Sequence, residues 1–173
     1  MPILTYWLLP AEPARSHFAL LIAELGARFD APVFEPHMTI YVTQAKQENG
    51  AELLERGLAG ATPYRLSITS VDFSDKFTKT VFVQFKPDEA LRQLSVDLRQ
   101  ASTIKNEYKL NPHLSLIYKT LPPETKAEIA NSVRLPFAEV CFDSAKAVIT
   151  PADITSREDV EAWRVVATRR LKE

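Results

Sequence analysis

A chain of 173 residues, 46% hydrophobic and 25% charged, has room for one sizeable core and too few residues for two ordinary independent domains, and its composition excludes wholesale disorder. A formal net charge of -1 and a pI near 6.3 supply no overall field for a long polyanion, so the expected partner is a small nucleotide held locally and not extended RNA or DNA. The single cysteine, Cys141, excludes an intrachain disulfide and a cysteine-rich zinc site, and points to a reducing cytoplasm.

Taken in order, Met1 to Pro10 is apolar but lacks a basic n-region and meets Pro10 and Glu12 at once, which is the pattern of neither a signal peptide nor a transmembrane helix. No membrane partner is expected. Ile3 to Leu9 reads as a buried strand. A helix follows with Phe18, Leu21, Ile22, Leu25 and Phe29 on one face and Ser16 as N-cap. Pro32 and Pro36 then force an extended entry into a strand that begins Pro36-His37-Met38-Thr39. A polar loop, expected to be mobile, spans Gln44 to Gly50, a short helix Glu52 to Leu58, an alternating strand Tyr64 to Phe73, and another mobile polar loop Ser74 to Lys79. The order then starts again: a strand from Thr80 to Phe85, a helix from about Asp88 to Ala101 with Leu91, Leu94 and Leu98 on one face, and the loop Asn106 to Asn111. Next come a strand beginning Pro112-His113-Leu114-Ser115, a helix opened by Pro122 and Pro123, and a strand from Phe137 to Ile149. A mobile loop from Asp153 to Asp159 and a final strand from Val160 to Leu171, with Trp163, Val165 and Ala167 on its core face, complete the chain.

Strand, helix, His-motif strand, helix, strand thus occurs twice, over about 3–73 and 80–149, within one domain. The two copies of Pro-His-apolar-hydroxyl lie 76 positions apart, too far for a solenoid repeat. A pseudo-twofold arrangement of the halves would set the two motif strands on either side of one groove. Within a strand, side chains two apart share a face, so His37 with Thr39, and His113 with Ser115, point out of the core roughly 7 Å apart. Met38, Ile40 and Val42, and likewise Leu114 and Leu116, point into it.

Two histidines facing one substrate can act in opposite senses, one neutral and taking a proton from water, the other protonated and giving one to a departing oxygen. In-line hydrolysis of a cyclic phosphodiester needs such a pair, with Thr39 and Ser115 binding the non-bridging phosphate oxygens. The expected pH profile is a bell centred between about pH 6 and 8. No cofactor and no metal are required. A metal site would want a third ligand, and Glu35 is the nearest acid. There is neither a Gly-x-Ser-x-Gly turn nor a phosphate-cradling glycine loop.

The paired His-x-Thr/Ser motifs resemble the signature of the 2H phosphoesterase superfamily. His113-Leu-Ser-Leu-Ile-Tyr118, with Tyr6-Trp7 in the first strand and Trp163 in the last, is most similar to its plant and yeast cyclic phosphodiesterase branch. The resemblance implies a bilobal α+β fold, two lobes of antiparallel sheet with outer helices and a central cleft. It implies metal-independent opening of ADP-ribose 1'',2''-cyclic phosphate to the 1''-phosphate, and of nucleoside 2',3'-cyclic phosphates to 2'-phosphates. It further implies His113 as base, His37 as acid, and a site role for the Tyr118 phenol. Strict alternation instead puts Tyr118 on the core side, and both readings stand at this point.

Outside the motifs, Trp7 is either core or a base-stacking floor of the cleft, and Phe77, among exposed neighbours, is the better stacking residue. Lys76 and Lys79 either attract phosphate or solvate their loop. Trp163 reads as core, Cys141 as a buried inert thiol, and His17 as a solvated surface histidine. A monomer is expected. The rival functions are an RNA 2',3'-cyclic phosphodiesterase resembling RNA 2',5'-ligases, which should show a basic track, and a nucleotide-binding module without turnover.

Overall fold

Two strand-helix-strand-helix-strand units follow one another in the computed structural model, which describes residues 1–173. The first is β1 (Pro2–Pro10), α1 (Ala14–Phe29), β2 (Met38–Gln44), α2 (Gly50–Gly57) and β3 (Tyr64–Phe73). The second is β4 (Val81–Phe85), α3 (Glu89–Ala101), β5 (His113–Ile117), α4 (Pro123–Ser132) and β6 (Glu139–Pro151), and α5 (Arg157–Glu161) and β7 (Arg164–Arg170) close the chain. The elements form for local reasons that are visible at their ends. The Asp88 carboxylate accepts the Leu91 N–H at the start of α3, whose Leu91, Leu94 and Leu98 form its buried stripe. At α1 the cap differs from expectation. The helix begins at Ala14, two residues before Ser16, and the Glu12 carboxylate accepts both the backbone N–H and the hydroxyl of Ser16.

All strand pairs are antiparallel, in the order β2-β1-β6-β3-β4-β5, with β7 on the free edge of β6. Read by unit, this order is a palindrome: middle, first and last strand, then last, first and middle. Each unit therefore lends its last strand to the other's sheet, β6 lying beside β1 and β3 beside β4. The helices cross over as well, α1 packing on β5 and α3 on β2. The result is the bilobal α+β architecture with each lobe built from both halves of the sequence. One apolar cluster of 33 buried residues runs through both lobes, from Leu4, Tyr6 and Met38 to Val83, Leu114 and Leu116.

Several loop expectations are corrected. Ser74 to Lys79 is pinned, not loose: the buried Lys126 ammonium donates to the Ser74 carbonyl at 3.0 Å and the Asp75 carboxylate at 2.8 Å, and Phe77–Lys79 forms a short 3-10 turn. A second such turn, Ala45–Gln47, occupies part of the Gln44 to Gly50 loop. The expected loop and strand start around Asp153 to Val160 contain α5, held by a capping box between Ser156 and Asp159. β7 starts only at Arg164, and a bulge against Ala147/Val148 leaves Val165 48% exposed where a core position was expected. Cys141 is half-buried. His17 is half-buried too, its Nε2–H donating to the Arg134 carbonyl at 3.0 Å. No helix is long and apolar enough to cross a membrane.

Candidate active site

Both motif strands carry the same irregularity. In the β1–β2 ladder Tyr6 faces Tyr41 and Trp7 faces Thr39, which leaves Ile40 as an extra residue. In the β4–β5 ladder Val81 faces Ile117 and Phe82 faces Ser115, which leaves Leu116 extra. A bulge of this kind puts two residues opposite one and reverses the alternation beyond it. Hence Met38, Ile40 and Tyr41 are all buried, and Val42, expected in the core, lines the cleft. The same reversal brings Tyr118, a member of the buried apolar cluster, to the cleft wall as well, its ring stacked on Phe34 at 4.1 Å and 15°.

The two histidines are held alike. His37 Nδ1 lies 2.7 Å from the carbonyl of Glu35, and His113 Nδ1 lies 2.8 Å from that of Asn111. A carbonyl only accepts, so each Nδ1 carries the hydrogen and each Nε2 is left to act on a ligand. Glu35 and Asn111 both precede a proline, which restricts them to extended backbone. Each is also tied by its side chain to a neighbouring strand. The Lys146 ammonium on β6 donates to the Glu35 carboxylate at 2.6 and 2.8 Å, and Gln84 Nε2 on β4 donates to Asn111 Oδ1 at 3.0 Å. In the sequence Glu35 stands out only as the acid nearest a metal site, and nothing marks Lys146 or Gln84, whose place becomes visible only when strands pair.

Surroundings distinguish the two rings. His37 is 8% exposed, stacked on Trp7 at 3.8 Å and 20°, and perpendicular to Trp163 with the ring centroids 5.6 Å apart. Burial pushes its pKa down to about 4, although the Glu35 carbonyl favours the proton, and charge on His113 pushes the same way. His113 is less enclosed. Its pKa is lowered by burial, against the Asn111 carbonyl, and further by Lys79 and Lys76. A test on stability follows for His37. Between pH 6.5 and about 4 the unfolded chain binds a proton there that the folded one refuses, so unfolding becomes easier as pH falls through this window. The loss should approach roughly 3 kcal/mol in urea titrations, and His37→Gln should flatten that part of the pH slope.

The cleft of about 500 Å³ is lined by His37, Thr39, His113 and Ser115 together, with Tyr118, Phe77 and Trp7 around them. A larger groove of about 810 Å³ near Cys141 and Arg170 holds neither motif. Thr39 is half-buried. Ser115 is committed differently from expectation: its hydroxyl donates to the Thr78 carbonyl at 2.6 Å, so it must turn away from Thr78 to donate to a phosphate. Trp7 is 3% exposed with one face covered by His37, and so offers a base little surface. Phe77 is half-buried, 6.1 Å from Tyr118, beside Lys76 at the cleft. Trp163 packs against the core as expected and also lines the cleft, edge-on to Trp7, His37 and Tyr118, and its buried indole N–H has no partner. Tyr108, also unforeseen, lines the cleft and donates its hydroxyl to the Thr39 carbonyl at 3.3 Å. No three His, Cys, Asp or Glu side chains gather as a metal-ligand cluster.

A family model described as cyclic phosphodiesterase-like protein matches residues 1–171, both motifs included. The chain belongs to that family. The cyclic phosphodiesterase-like chain is 23% identical to the cyclic phosphodiesterase of Arabidopsis thaliana, across 98% of its own length and 95% of the relative's. Its fold is similar to that of E. coli LigT in apo form, with a TM-score of 0.60 at 14% identity over 99% and 98% of the two chains. A structure described as a phosphoesterase is equally similar, with a TM-score of 0.60 at 14% identity over the whole of both chains. The resemblance to the 2H phosphoesterase superfamily read from the motifs is borne out, as is the α+β fold. The enzyme class expected from the motifs, a cyclic phosphodiesterase, is the class of this family.

Proposed function

We propose that the protein hydrolyses ADP-ribose 1'',2''-cyclic phosphate and nucleoside 2',3'-cyclic phosphates by two-histidine acid-base catalysis without a metal. The observation that carries this reading is the pair of Nε2 atoms at one cleft, each left available by an Nδ1–H bond to the residue two before it. Water attacks phosphorus as His113 Nε2 takes its proton. The bond from phosphorus to the leaving oxygen breaks as His37 Nε2 gives that oxygen a proton, so a cyclic phosphate and water become a phosphomonoester with a free hydroxyl. Solvent exchange then resets the two rings. His37 is neutral in the empty cleft, and the negative phosphate beside it offsets the cost of burying an imidazolium, so substrate brings the acid into its working state. Thr39 and a rotated Ser115 bind the non-bridging oxygens. Phe77 and Tyr118 flank the nucleotide, while Trp7 backs the His37 ring.

The cleft is complete within one chain, which supports a monomer, and the single cysteine supports a cytoplasmic setting. The test is incubation in EDTA with ADP-ribose cyclic phosphate, the four nucleoside 2',3'-cyclic phosphates and an RNA ending in a cyclic phosphate. Turnover of the small substrates is expected, with 2'-phosphates as the nucleoside products. Turnover of the RNA alone would move the assignment to RNA end processing, and binding without turnover would leave a nucleotide-binding module.

A further inference from the structure

Adjoining the catalytic cleft is a smaller cavity of about 280 Å³ that shares Phe77, Tyr118 and Thr155 with it. It contains Lys119 and Arg157, and neither cation serves the acid-base pair. Lys119 Nζ donates to the Asp30 carbonyl at 3.0 Å, and Arg157 donates to the Asp30 carboxylate at 2.9 Å. That carboxylate is 92% exposed and the guanidinium 40%, so the pair is of the weak, solvent-screened kind that a better-placed anion displaces. Lys119 also borders a third cavity with Lys76 on the other side of the Phe77 turn. A chain of net charge -1 therefore concentrates Lys76, Lys119 and Arg157 around one aromatic pair at the rim of its phosphate site. The carboxylates in these linings are Asp30, Asp75, which is bonded to Lys126, and Asp153.

We propose that the Lys119–Arg157 cavity is an anion subsite for a second phosphoryl group of the substrate, one ribose removed from the cyclic phosphate. This rests on the reading of the catalytic cleft given above. In ADP-ribose cyclic phosphate the ribose that bears the cyclic ester carries the pyrophosphate on its 5''-oxygen, so the two groups sit at opposite ends of one sugar. A nucleoside 2',3'-cyclic phosphate has only a hydroxyl there. The subsite thus selects for the diphosphate-bearing substrate, through charge-assisted bonds from a guanidinium and an ammonium, and leaves mononucleotides to the catalytic groups alone.

The experiment is calorimetric titration of wild type, Lys119→Met, Arg157→Gln and Asp30→Asn with ADP-ribose 1''-phosphate, adenosine 2'-phosphate, and a dinucleotide ending in a 2'-phosphate. Each cation variant should weaken ADP-ribose 1''-phosphate by about tenfold, the usual cost of one charge-assisted bond, and leave adenosine 2'-phosphate unchanged. Asp30→Asn should act in the opposite sense. Asn tolerates the left-handed backbone of that position, φ 51°, and its substitution removes the competing carboxylate. Equal weakening of both ligands, no weakening, or no gain in Asp30→Asn overturns the proposal. A greater loss for the dinucleotide than for ADP-ribose 1''-phosphate overturns the assignment to a pyrophosphate. Hydrolysis of adenosine 2',3'-cyclic phosphate is followed separately, because its absence would sink the catalytic reading while the titrations still decide the subsite.

Discussion

Replacing either motif histidine with alanine should lower kcat by about 10² to 10⁴-fold, the range for loss of a positioned acid or base. His113→Ala is the cleaner of the two, since that ring is only half enclosed and its removal exposes the Phe82 edge. His37 is packed among Trp7, Trp163 and Phe34, so His37→Gln should accompany His37→Ala to separate lost chemistry from a hole beside the indole. Both should fold, as judged by circular dichroism, and both should keep only the residual kcat left by that loss. His17→Ala is the matched control: its ring is bound to the Arg134 carbonyl, lines no part of the cleft, and should leave kcat untouched. Equal damage from His17→Ala would mean that the motif carries no special chemistry.

The second large effect is on pH. One imidazole must be neutral and the other protonated in the same molecule, so activity falls on both sides of an optimum, with limbs that belong to the coupled pair. Two histidines of ordinary pKa would centre that optimum between about pH 6 and 8. Burial moves it. In the free enzyme both imidazoles titrate below the ordinary 6.5, so the bell of kcat/KM should be centred on the acid side of that value. With substrate bound, the phosphate charge favours the imidazolium, and the alkaline limb of kcat should lie at higher pH than that of kcat/KM. In the variants, His113→Ala should flatten the acidic limb and His37→Gln the alkaline one, which tests the assigned roles. Coincident limbs for kcat and kcat/KM would remove the role given to substrate charge. A rate that climbed to pH 9 and vanished in EDTA would point to metal-bound hydroxide, and the two-histidine mechanism would fail.

The candidate site groups are legible because a repeated short pattern needs no tertiary knowledge. Pro-His-apolar-hydroxyl twice, in matching places of a twice-used element order, identified all four motif side chains that line the cleft. The strand Tyr64–Phe73 and the helices around Leu91 and Ile22 were legible for the same reason, since hydrophobic period is a local property. Helix α5 was also written locally, in Ser156 and Asp159, and escaped because its five residues sit among polar neighbours that read as loop.

What the sequence by itself determined, then, is the set of candidate groups and their setting: two histidines, two hydroxyls, an α+β chain of two like units, and membership of the 2H superfamily. Only the tertiary structure decided which faces those residues share. A bulge is a relation between two strands, so no single strand announces that Ile40 and Leu116 are extra residues that turn Val42 and Tyr118 towards the cleft. The exchange of β3 and β6 between units, and the placing of Lys146, Gln84 and Trp163 at the site, depend on which strands pair. The depressed pKa of His37 depends on rings from β1, from the segment before β2 and from the residue before β7, brought together over more than a hundred residues. Periodicity reports on neighbours along the chain, whereas pairing, bulges and desolvation are set by neighbours across it.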